Sequence, residues 1–316
     1  MGKINGIESS IATQKAKKNK KEPKEKGSFR ALGASQIASS ASVPVGMAAI
    51  AGMSQVNKKL TPEQIEQINK AADAMIDATG LRAKVVKIDN VKHAGLNLSG
   101  MPDALHDLVN TYSAVANGKN AAFLTEDARN ALTGEILHSK NTIIANRDKM
   151  STALFHEIGH AFNANKSKFW KAMQKMRGPA MFIAAAVAIF AAFTKKAEAK
   201  EGEELTKAQK AKNFTRDNAG YIAGASMLPV IAEEVVASVR GCKWANANLP
   251  KELAKKVKTT NIWGAVSYVA AAAGLALSAF VATKVKDSIM EKQKAKFEAE
   301  QQKNNIPKEA EATIEE

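Results

Sequence analysis

The sequence predicts an α+β protein, mostly helical with a small sheet, joined to transmembrane helices. Three observations carry that expectation. Apolar residues recur at helical spacing behind recognisable capping residues, as in Thr61-Pro62-Glu63-Gln64 followed by Ile65, Ile68, Ala72, Met75 and Ile76. Short runs such as Lys84–Ile88, Ala121–Leu124 and Asn141–Asn146 read as strands. Trp263 to Val281 carries no charge across 19 residues, close to the ~20 that span a bilayer.

The first helix is bounded by a capping box with Pro at its first position, and Gly80 ends it. Asp103 to Ser113 is expected to be helical. Pro179–Phe193 and Ala219–Ala232 are shorter apolar stretches that read as a hairpin, 179–232, around a charged loop at 195–217. Residues 233–262 follow as a helix and connection, 263–283 as a transmembrane helix, and 284–316 as a charged tail whose helix frays near Pro307. Ahead of the folded part lie a basic disordered arm, 1–36, and a weakly apolar segment, 37–54, with a small mixed domain over 55–178.

Charge and cysteine usage narrow the function classes. The chain of 316 residues has a net charge of +15 and a single cysteine, Cys242, so an internal disulfide framework is excluded. The arm concentrates Lys15, Lys17, Lys18, Lys20, Lys21, Lys24, Lys26 and Arg30, a composition suited to anionic lipid headgroups. No aromatic residues interleave with these lysines for stacking on bases, which argues against nucleic acid as a partner.

One stretch carries chemistry: His156-Glu157-Ile158-Gly159-His160. Two His four residues apart on a helix fall on one face, so both imidazoles reach a single metal ion, and the adjacent Glu157 stands where a carboxylate takes a proton from water. Leu154, Phe155, Ile158, Ala161 and Phe162 give that helix its apolar stripe, with Asp148 or Ser151 as its expected cap. Gly159 removes a side chain where a neighbouring backbone or a substrate approaches. A catalytic zinc of this type needs a third protein ligand. The adjacent Glu233 and Glu234 sit in an otherwise apolar run, where carboxylates are costly to bury unless paired or bound to a cation; Glu234 is preferred as ligand and Glu233 is the alternative.

Taken together, Ala153 to His160, the apolar hairpin, and Glu234-Val235-Val236-Ala237-Ser238 resemble the membrane-integrated gluzincin zinc metallopeptidases, the family of the HtpX heat-shock protease and the CAAX prenyl protease. The resemblance covers about residues 140 to 240, under half the chain. It implies a zincin-like domain in which His156, His160 and Glu234 bind Zn2+ and Glu157 is the general base. It also implies that the strand at 141–146 edges the cleft and binds substrate backbone. The chain departs from the family at Ser238, where Asp usually orients a zinc ligand.

The implied activity is zinc-dependent endopeptidase, acting on a protein or peptide, including membrane proteins, beside membrane lipid. Arg240 and Tyr221 are the candidates for stabilising the oxyanion. The competing reading is a membrane-anchored scaffold that keeps the fold without activity, supported by Ser238; a weaker one is a basic membrane-surface protein acting through its arm. Topology turns on residues 37–53. If that weakly apolar segment does not cross, the integral membrane protein holds its catalytic domain in the cytoplasm with the arm, which is the expectation here; if it crosses, the domain lies outside.

Overall fold

The computed structural model describes residues 27–92, 112–129, 134–199 and 202–304. They are mostly helical, with a small sheet and several long apolar helices. Residues 1–26, which hold most of the basic arm, lie outside the described residues, as do 103–111 of the expected helix; residues 112–116 are helical.

The arm does not extend to residue 36. Helix α1 begins at Ser28 and runs to Ser40, and α2 follows over Val43–Lys58. Small residues are the reason. Ala31 is buried beside the alanines of the membrane-type helices, and the only bulky cation of that stretch, Arg30, is exposed. Helix α3, Pro62–Ala78, matches expectation: Thr61 and Gln64 form the reciprocal capping box, Ile68, Ala72, Met75 and Ile76 are buried, and Gly80 takes φ +66 beyond its end.

The expected strand at 84–88 starts late. A 3-10 turn over Arg82–Lys84 leads into Val85 at φ 59, and only then does β1, Lys87–Asn90, begin. Strand β2, Ala121–Leu124, lies where expected. A short pair, β3 (Ala128–Arg129) and β4 (Ile136–His138), stands apart from the main sheet. Strand β5, Thr142–Ala145, is central rather than at the edge: it pairs parallel with β1 and antiparallel with β2. Its four residues are all buried, as suits an apolar run covered on both faces. Among the described residues the edge strands are therefore β1 and β2, and β2 is the one that lines a cavity.

A 3-10 turn, Ser151–Ala153, opens into α4, Leu154–Lys166. Neither Asp148 nor Ser151 caps it: Asp148 pairs with Lys92 at 2.7 Å, and the buried Ser151 hydroxyl has no partner. The cap comes from far along the chain. Asn57 Oδ1 accepts from the Thr152 N–H at 3.2 Å, and Thr152 Oγ1 lies 2.8 Å from Thr260 Oγ1. One core surrounds α4, formed by Ile68, Met75, Ile76, Leu81, Ile143, Leu154, Phe155 and Ile158.

Helices α5 (Lys168–Lys175) and α6 (Arg177–Phe193) follow, then α7 (Lys207–Asp217) within the charged loop, α8 (Ala219–Ser226) and α9 (Leu228–Asn248). The last helix, α10, is continuous over Lys251–Asn304, so the apolar segment and the charged tail form one element instead of two. The tail-side turns stay attached because Lys286, fully buried, donates to Ser28 Oγ at 2.8 Å and Ile289 packs where Gly27 has no side chain. Among the described residues four stretches are long and apolar enough to cross a membrane: Ser28–Lys58, Lys168–Phe193, Ala219–Asn248 and Lys251–Gln302. Their shared faces are lined by small residues, including Ala184, Ala188, Ala219, Ala223, Ala279 and Ala282, which let helix backbones approach closely.

Asn57→Ala removes the buried side-chain acceptor of the Thr152 N–H. It should destabilise the purified protein by about 1–3 kcal/mol, read as a lower Tm in detergent beside an unchanged exposed-site control such as Lys70→Ala.

Candidate metal centre

The site is made where α4 crosses α9. A Cβ at Gly159 would lie 2.8 Å from the carbonyl carbon of Ala237, and one at Gly241 would lie 2.5 Å from the carbonyl oxygen of Phe155. The two backbones touch, as the glycine in the motif suggested. That contact turns one face of α4, with His156 and His160, onto Glu233, Glu234 and Ser238 of α9.

His156, His160 and Glu234 each place one ligand atom within 4.8 Å of the others. Glu234 Oε2 lies 3.0 Å from His156 Nε2 and 3.3 Å from His160 Nε2, and the two Nε2 atoms are 2.9 Å apart. Tetrahedral zinc with bonds of about 2.0–2.1 Å separates its ligand atoms by about 3.3–3.4 Å, so an opening of about 0.5 Å or less accommodates the ion. Two His and one Glu also form the donor set of open zinc sites. The residues fit.

Each imidazole is held by its other nitrogen. His156 Nδ1 lies 3.0 Å from Ser238 Oγ, and His160 Nδ1 lies 2.9 Å from Glu233 Oε1. With Nδ1 donating and Nε2 deprotonated, as a bound metal requires, both Nε2 lone pairs face the common point. Glu233, the alternative ligand at the level of sequence, is thereby on the outer side of His160. It is fully buried and also accepts from Asn163 and Gln174, each at 2.9 Å. Ser238 thus holds His156 from its outer side, and Glu233 supplies a carboxylate to His160.

Glu157 is 8% exposed and lines the cavity in front of the imidazoles. Burial raises its pKa, opposed by the neighbouring His156 and His160. Burial would lower the pKa of His160, but hydrogen bonds to Glu233 and Glu234 outweigh it and raise it from 6.5 to about 10. A buried carboxyl with raised basicity beside paired imidazoles is the environment of an acid–base group.

The cavity has a volume of about 580 Å³. One wall is the free edge of β2, from Lys119 to Phe123, and the opposite wall brings Gly46, Ile50 and Met53 of α2 against Gly264 and Tyr268 of α10. Arg177 and Tyr268 project into it and were not singled out from sequence. Arg177 bonds Glu234, lies 3.4 Å from Glu233 Oε2 and stacks over the Tyr268 ring at 5.5 Å. The only hint was position, an Arg opening an apolar helix. The residues expected to stabilise the oxyanion are elsewhere. Tyr221 is 81% exposed on α8, and Arg240 stacks on Phe162 at 4.4 Å, two helical turns beyond Glu233. His138, given no role, meets Asp89 at 2.7 Å away from the cavity lining.

Comparison of this chain with known protein families, with curated proteins and with solved structures finds no match.

Gly159→Ala should separate α4 from α9 and lose the alignment of both imidazoles with Glu234. The expected outcome is a destabilisation of about 1–3 kcal/mol together with loss of stoichiometric zinc binding, measured by thermal unfolding and by metal analysis of one preparation.

Proposed function

We propose that this chain is a membrane-embedded zinc metalloendopeptidase. The observation that carries the reading is the convergence of His156, His160 and Glu234, with both outer imidazole nitrogens held, on the wall of a cavity that Glu157 also faces. Zinc held there supplies Lewis acidity, making water nucleophilic near neutral pH and polarising a carbonyl. Glu157 takes the proton of the attacking water and passes it to the leaving amine. Glu157 and Phe123 of β2 line the same cavity. An extended peptide laid along β2 by strand addition then presents its carbonyls to Glu157 and the imidazoles. In this reading the strand at 141–146 supports the edge and β2 takes the backbone-binding role. Apolar α2 and α10 on the facing wall suit membrane proteins or peptides as substrates.

The scaffold reading rested on Ser238. It loses weight because Ser238 hydrogen-bonds His156 and Glu233 does the same for His160.

A sidedness follows from the four apolar stretches. Gly27 meets Ile289 and Arg216 pairs with Asp287, so the start of α1, the end of α7 and the tail-side turns of α10 gather at one end; Asn57, Thr152 and Thr260 meet at the other, next to the candidate metal centre. Four crossings put the metal centre opposite the arm. Residues 1–30 hold nine Lys or Arg against three Glu, and the positive-inside rule assigns such a segment to the cytoplasm. We therefore favour an outward-facing cavity over the cytoplasmic placement expected when residues 37–53 do not cross.

Two measurements check these readings. Detergent-purified wild type should hold one zinc; Glu157→Gln should keep it while losing peptide hydrolysis by about 10²–10⁴-fold, and Glu234→Ala should release it. Wild type without zinc after metal loading at neutral pH would sink the peptidase reading. For sidedness, Glu126→Cys in a Cys242→Ser background should react with a membrane-impermeant maleimide in intact cells, and Glu198→Cys only after permeabilisation; the reverse pattern returns the domain to the cytoplasm.

A further inference from the structure

We propose that Arg177 is the positioning residue of the metal centre, fixing Glu234 as a one-oxygen ligand from the head of α6, with Tyr268 of α10 as its clamp. This rests on the zinc reading above.

Glu234 has two oxygens with different partners. Oε2 faces the two imidazole nitrogens at 3.0 and 3.3 Å, whereas Oε1 is bonded by Arg177. A carboxylate with its second oxygen held this way offers the ion one oxygen only, which leaves a coordination position open for water or substrate. Left free, the same carboxylate can swing to offer both.

The surroundings call for a cation of this shape. Glu233 and Glu234 are neighbours in sequence, 0% and 1% exposed, and Glu157 is a third buried carboxyl in the same site. Adjacent buried carboxylates repel unless a cation bridges them. Glu233 Oε1 is already taken by His160, Asn163 and Gln174, so its second oxygen is the one that meets Arg177, at 3.4 Å. A planar guanidinium reaches both carboxylates at once, which the point charge of a lysine does not. Tyr268 fixes the guanidinium from below, with ring contact at 5.5 Å and its hydroxyl 3.4 Å from Nη1. Arg177 thus joins α6, α9 and α10 at the ligand.

The test is zinc affinity of the detergent-purified full-length chain by chelator competition, with zinc X-ray absorption to count oxygen neighbours. Arg177→Gln should weaken zinc binding 10–100-fold and add an oxygen to the coordination shell as Glu234 turns two-oxygen. Arg177→Lys should recover part of the affinity, and Tyr268→Phe should lose less than tenfold. Far-UV circular dichroism should stay at the wild-type signal in all three, while the zinc-free Tm of Arg177→Gln should fall because Glu233 and Glu234 lose their cation; the added oxygen in the coordination shell, which a loss of stability alone does not produce, separates positioning from folding. Wild-type affinity and an unchanged shell in Arg177→Gln, or full rescue by Arg177→Lys, would overturn the role of Arg177 while leaving the metal centre intact. A wild type that binds no zinc overturns both.

Discussion

The backbone contact between α4 and α9 is the constraint from which the site follows. Gly159 touches Ala237 and Gly241 touches Phe155, so each step of four residues forward on one helix is matched by four residues back on the other. That antiparallel register continues to Asn163 beside Glu233, where the side chains hydrogen-bond at 2.9 Å. Four residues advance a helix by about 6 Å and return nearly to the same face. Once two glycines set the register, His156 must meet Ser238, and His160 must meet Glu233 and Glu234. A side chain at either glycine would separate the helices by more than hydrogen bonds can bridge.

Stability alone does not explain what this crossing buries. Three carboxyls, two imidazoles and part of a guanidinium occupy space that well-packed apolar side chains fill at lower cost. Both imidazole Nδ1 atoms and both oxygens of Glu233 and Glu234 have a named partner, and those partners come from four helices, although the buried Asn163 Oδ1 and Gln174 Oε1 have none among the described residues. A cluster whose imidazoles and carboxylates are held from outside, with its Nε2 atoms and one Glu234 oxygen converging on each other, suits the proposed cation. The hydrogen bonds outside fix direction; the convergent atoms inside supply affinity.

Local signals in the sequence reached as far as local physics did. The capping box at Thr61, the strand at Ala121–Leu124 and the motif helix were legible because each depends on residues within one or two turns. Gly159 announced a close approach without naming its partner. What stayed hidden depends on long-range contacts. Asn57, 95 residues before Thr152, replaces the expected local cap. The choice between Glu233 and Glu234 is a difference of about 100° around a helix axis, decided by the packing of α9 on α4 and beyond any periodicity argument. Arg177 and Tyr268 were not singled out, and only the convergence of α6 and α10 on α9 brings them to the site. The continuity of α10 was missed because a switch from Ala and Val to Lys and Glu changes the solvent around a helix without ending it.

The position of the cavity joins the two halves of the molecule. Its β2 wall is a sheet edge among the described residues, and the lining from α2 and α10 offers apolar side chains and two glycines, Gly46 and Gly264. An extended peptide entering between them satisfies its backbone on one side and buries apolar side chains on the other. Water-filled access to the free edge is required for the proposed hydrolysis, yet the helices that close the opposite side belong to stretches apolar enough to enter a bilayer. The proposed hydrolysis therefore needs the cavity at the level of the membrane surface. In that reading the face of α4 with His156 and His160 meets aqueous solvent, while α2 and α10 continue from the same wall into lipid. Asn57 fixes that height: it ties the end of α2 to the turn that starts α4 and, through Thr152, to Thr260 of α10, so the depth of the helices in the bilayer sets the depth of the metal centre.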